Sequence, residues 1–145
     1  MYQQRPQAAV EFATAAARRL SNGLVERGPL GLSTLGMLYL SAALAASSQE
    51  RTTVRVRAAG SYVDEADDVA NRQGGDRDED YTMFGPTNVG LHRVDMLLRF
   101  EDGWSALKAA DGLDPEALAG LSRERQAGHR VAMAAPPRPT AGTCV

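Results

Sequence analysis

From Ala8 to Arg27, apolar residues recur at steps of three and four. Val10, Ala13, Ala17, Leu20 and Leu24 form one stripe, while Glu11, Arg18 and Arg19 fall off it, the period of an amphipathic helix. Gly28-Pro29 ends that helix, since glycine suits a C-terminal cap and proline cannot continue the hydrogen-bond ladder. Beyond it, Gly28 to Ser48 carries no charge. Ser33 or Thr34 can cap a second helix there, in which Leu35, Met37, Leu38, Leu40 and Leu44 cover nearly every side. A helix apolar all round is either central to a core or spans a membrane, and this stretch is close to the roughly 20 residues a bilayer needs. Its glycines and hydroxyls favour the core, and two helices joined by so short a turn make an αα-hairpin. Ala43-Leu44-Ala45 also has the spacing of a signal cleavage site, behind an n-region too long and too mixed in charge for one.

The pattern then changes. Between Thr52 and Val63, Val54, Val56 and Ala58 alternate with Arg55 and Arg57, which predicts a half-buried strand. Val94, Met96, Leu98 and Phe100 alternate with Arg93, Asp95 and Arg99 and predict a second, and Val131 and Met133 within His129 to Met133 a short third. Trp104 to Ala110 predicts a short helix, with Trp104 packing it on the sheet. Leu113-Asp114-Pro115-Glu116-Ala117-Leu118 combines an N-cap, a proline at the first helical position and a hydrophobic staple, opening a helix to about Gln126. Pro136-Pro137-Arg138-Pro139 predicts an extended or disordered tail over 136–145. The expected fold is one α+β domain over 1–135, in which the N-terminal αα-hairpin and a C-terminal helix cover one face of a small, mainly antiparallel three-stranded sheet.

The net charge of −2 does not suit generic nucleic-acid binding. Its distribution is uneven, however. Asp64, Glu65, Asp67, Asp68, Asp76, Asp78, Glu79 and Asp80 stand against Arg72 and Arg77, a net of −6 that leaves +4 for the rest. That stretch falls in a connection over 64–87 which reads as a long acidic loop. On the predicted sheet, Arg55, Arg57, Arg93, Arg99 and Arg130 lie opposite the core. An arginine face and an acidic loop together predict docking to a protein partner, with a second copy supplying the carboxylates.

Candidate chemistry is sparse. Asp76-x-Asp78-x-Asp80 opens like a calcium loop, without the glycine and glutamate that complete one. His92 and His129 are the candidate general bases. Cys144 is the single cysteine, which excludes an internal disulfide or a multi-cysteine metal site. Gln7-Ala8-Ala9-Val10-Glu11-Phe12-Ala13 resembles the opening of Tad-type pseudopilin segments, in which such a string leads into a membrane helix. Here Arg18-Arg19 follows, and the seven residues imply no activity. These features predict a non-enzymatic assembly protein of the cytoplasm or a virion, without cofactor or metal, of the kind found among head–tail joining proteins. A membrane-anchored protein with residues 28–48 spanning is the alternative. An enzyme using His92 and His129 is the third reading.

Overall fold

The computed structural model describes residues 5–76 and 84–134, and every regular element among them is a helix. In chain order these are α1 (Pro6–Glu26), α2 (Pro29–Ser47), α3 (Thr53–Gln73), α4 (Pro86–Arg99), α5 (Gly103–Asp111), α6 (Pro115–Ala119) and α7 (Arg123–Ala134). The expected α+β fold is thereby overturned: the described residues hold no strand and no sheet. The three segments predicted as strands lie in α3, α4 and α7. Trp104 consequently has no sheet to anchor, and α5 leaves it 78% exposed.

The physical reason lies in which faces are buried. In α3 the buried residues are Ala59, Val63, Ala66, Val69, Ala70 and Gln73, a helical stripe that continues past the point where the charges begin. Asp64, Glu65, Asp67 and Asp68 occupy the other sides of the same helix, so the first half of the expected acidic loop is helical. In α4, Val89, Leu91, Val94 and Met96 are buried because neighbours pack on more than one of its sides. A helix buried on two sides samples apolar and polar positions almost alternately, which imitates a strand.

The core is assembled around α2. It packs against α1, α3 and α4, while α4 in turn carries α5 and a lighter contact with α7. Leu40, Ala43, Ala46, Ala59, Val63, Val89 and the rings of Phe84 and Phe100 make up its interior. Two glycines let the helices approach. Gly28, with φ at 68°, makes the turn between α1 and α2 in a conformation side chains rarely adopt. At Gly36 of α2, a Cβ would come within 3.0 Å of three ring carbons of Phe84.

Local signals set the helix starts. Thr52 caps α3 by accepting from the Arg55 amide at 3.2 Å, and Asp102 caps α5 through Ser105 at 3.1 Å. Those Ser105 hydrogen bonds hold the Asp102 carboxyl below its usual range. Asp114 caps α6 through Glu116 at 3.0 Å. The helix it opens stops at Ala119, and a separate α7 begins at Arg123. The expected tail over 136–145 lies outside the described residues.

Candidate functional site

A buried polar knot closes the end of the bundle where α3 leads into α4. Ser33 Oγ of α2 donates to Gln73 Oε1 at 2.8 Å, and Gln73 Nε2 donates to the carbonyls of Gly75 and Phe84, each at 2.9 Å. Asp76 accepts from the Thr87 amide at 3.0 Å and from its hydroxyl at 2.5 Å. That carboxylate therefore sits on the first turn of α4, where the helix dipole favours negative charge. This is the observed role of the first residue of the calcium-like string. Asp78, Glu79 and Asp80 lie outside the described residues.

The candidate bases lie on two helices, α4 and α7. His92 is buried in α4, and its Nδ1 donates to the Asn88 carbonyl at 2.8 Å, which fixes the tautomer because a carbonyl can only accept. Burial holds the His92 pKa below that of a free imidazole, with the Asn88 bond opposing and the nearby Arg125 adding to the shift. His129 lies on α7. One turn before His92, the fully buried Asn88 turns its Nδ2 to the Met37 sulfur at 3.8 Å, and its Oδ1 has no hydrogen-bond partner.

The five arginines are spread over three helices, α3, α4 and α7. Arg93 pairs with Asp64 at 2.9 Å, joining α4 to α3. Arg99 pairs with Asp95 at 3.4 Å and donates to Ser48 Oγ at 3.0 Å. Arg55 donates to the Glu50 carbonyl at 3.1 Å, so it and Arg99 both brace the link between α2 and α3. Arg57 on α3 and Arg130 on α7 are exposed. Among the acids, Glu65 and Asp68 line an open groove between α1 and α3 whose floor includes Leu35 and Tyr39. Burial, then Glu65, holds the Tyr39 phenol above its ordinary pKa.

The least expected feature is a side of α2 that the described residues leave partly open. Around this helix, Gly31 meets α1, Gly36 meets Phe84, Ser33 reaches α3, and Met37 and Ser48 touch α4. At 100° per residue the remaining direction holds Leu30, Thr34, Leu38, Ser41 and Ala45. All five are exposed or half-exposed. No charge interrupts this side, and its hydroxyls are turned inward: Thr34, Ser41 and Ser48 donate to the carbonyls of Leu30, Met37 and Leu44 at 3.1, 2.8 and 2.9 Å. What it presents outward is therefore largely hydrocarbon.

Helix α1 extends the same face. It turns Val10, Ala13 and Ala17 inward and one flank toward the α3 groove through Ser21, Asn22 and Val25. Its other flank carries Phe12, 76% exposed, and Leu20, 51% exposed. That flank borders the open side of α2, where Leu30 is 38% exposed. Trp104 and Leu107 form a smaller exposed apolar spot on α5. By length and composition α2 could cross a membrane, yet just over half of it is buried against other helices.

No protein-family profile, curated protein or solved structure matches this chain. Its function has to be argued from its own surface. The uncovered face was readable in one respect, the uncharged run, but counting apolar residues cannot say how many sides of a helix the rest of the chain will cover.

Proposed function

We propose that this chain is an assembly subunit which works by protein–protein association, through the apolar face of α1 and α2. The observation that carries the reading is that face itself. Phe12, Leu20 and Leu30 stand exposed beside an uncharged side of the central helix. Large contiguous apolar patches on soluble proteins mark interaction sites. The arginines support association less well, since Arg93 and Arg99 already hold carboxylates of the same chain.

Light scattering on purified protein at micromolar concentration tests it. The expected mass is a multiple of 15.5 kDa. It persists at high salt, because burial of hydrocarbon is not screened as exposed ion pairs are. Ser41→Glu, on the exposed side of α2, lowers that mass to the monomer without loss of helicity. A monomer at every concentration and salt overturns the reading. So does an assembly that dissolves in salt and ignores Ser41→Glu.

A further inference from the structure

We infer that the occupant of this face is a second copy of the chain, with the two α2 helices running antiparallel about a two-fold axis level with Tyr39. The inference rests on the association reading above and specifies its partner and geometry.

Along the edge of the open side nearest α4, Leu30, Thr34, Met37, Ser41, Leu44 and Ser48 follow one another at steps of four and three, the seam by which one helix packs along another. Met37 and Ser48 each also touch α4, through Asn88 and Arg99, yet Met37 stays half-exposed and Ser48 exposed. Large and small side chains alternate strictly along it. Leucine or methionine occupies every first position, and threonine or serine every second. The hydroxyl of each small residue is bonded to the carbonyl one turn back, so it needs no partner from outside.

This alternation is self-complementary in only one direction. Reversing a second copy about the level of Tyr39 places Leu30 opposite Ser48 of the second copy, Thr34 opposite its Leu44, and Met37 opposite its Ser41. Each large side chain then enters the space over a small one, and the two-fold repeats every contact, as an isologous interface requires. A parallel pair would set leucine on leucine and serine on serine, crowding one layer and hollowing the next.

Size and charge agree with this partner. The helix is 19 residues long, about 28 Å at 1.5 Å per residue. With the flank of α1 beside it the face is about two helix diameters wide, on the order of 560 Å² in projection. Side-chain relief raises that toward the roughly 800 Å² that one partner gives to a standard interface. Between Gly28 and Ser48 there is no charged residue, and Arg99, the cation that reaches Ser48, has Asp95 beside it as a counter-ion.

Cysteine cross-linking tests the register. In a Cys144→Ser background, Leu30→Cys and Ser48→Cys are prepared as separate proteins and oxidised with copper phenanthroline, each thiol pair losing two electrons to the oxidant to form a disulfide. The expected result is a covalent dimer when the two proteins are mixed and none from either alone. Met37→Cys mixed with Ser41→Cys repeats the test near the axis, should a substitution at the helix ends disturb folding. Covalent dimer from Leu30→Cys alone, in a protein that still associates, overturns the antiparallel register and leaves the association reading standing. A monomer by light scattering overturns both. If that monomer also floats with phosphatidylcholine vesicles, the occupant is lipid and not a second copy.

Discussion

Replacing Gly36 by alanine should destabilise the protein, although the same change in an open helix does the opposite. Glycine within a helix costs about 1 kcal/mol relative to alanine, through its extra backbone freedom in the unfolded chain. Gly60 of α3 gives the baseline, because a Cβ there would meet nothing within 4 Å. Gly60→Ala should therefore gain roughly 1 kcal/mol. At Gly36 the added methyl would overlap the ring of Phe84, which is fully buried. Overpacking of this kind costs about 1–3 kcal/mol and occasionally more. Overlap with three ring carbons belongs at the upper end, so the net loss should be about 2 kcal/mol, or roughly 6–8 °C in Tm for a domain of this size. Urea denaturation followed by circular dichroism measures both variants. Phe84→Leu supplies the control: it carries its own loss, but within that background Gly36→Ala should cost much less, a coupling that a double-mutant cycle isolates. If Gly36→Ala stabilises the wild-type protein as Gly60→Ala does, the packing of α2 against Phe84 is refuted.

Three further outcomes follow from the buried polar groups. Gln73→Leu should cost about 1–3 kcal/mol in urea denaturation, because it takes from the buried Ser33 Oγ its acceptor; a loss under 0.5 kcal/mol would refute the knot. Asn88→Leu should be neutral or stabilising by about 1 kcal/mol, since it removes an amide oxygen buried without a partner, and a large loss would show that oxygen to be satisfied. His92 should make stability pH-dependent. Its folded pKa lies below the unfolded value, so the unfolded chain binds more protons between the two, and stability falls as pH drops below about 6.5. The slope from this one group is at most about 1.4 kcal/mol per pH unit. His92→Gln should flatten that part of the profile, and an unchanged profile would dismiss the assignment.

The parts of the fold that could be read in the sequence are those fixed by local chemistry. The stripe of α1 and its end at Gly28-Pro29 need only the helical period and two residues with special backbones. The cap at Asp114 needs only a carboxylate two residues before an amide. Strand and helix were confused where tertiary packing decides which positions are inside. Val54 seemed to open a strand, yet it ends exposed, and the buried stripe of α3 is made by residues up to Gln73. The acids from Asp64 hid that continuation, because charge on the outer side of a helix resembles charge in a loop when the period is not followed through it. The site was hidden for a related reason. The arginines were grouped by a sheet that the described residues do not form, whereas the open side of α2 is defined by what the other described helices fail to reach.

That failure is quantitative in its own way. A helix that is apolar on every side needs neighbours all around it, and α2 receives α1, α3 and α4 from its own chain. Helices α5 and α7 are attached to α4 instead, and α7 buries none of its residues completely. The described helices therefore leave Leu30 and Ser41 exposed and Thr34, Leu38 and Ala45 half-exposed. At an exposed position such as Leu30 a charge would cost little in the monomer and aid solubility. An uncharged, hydroxyl-satisfied seam of five turns has a physical use only if something apolar covers it. In the proposed antiparallel pair each α2 would supply the neighbour the other lacks, and the dimer, not the single chain, would be the unit in which the core is complete.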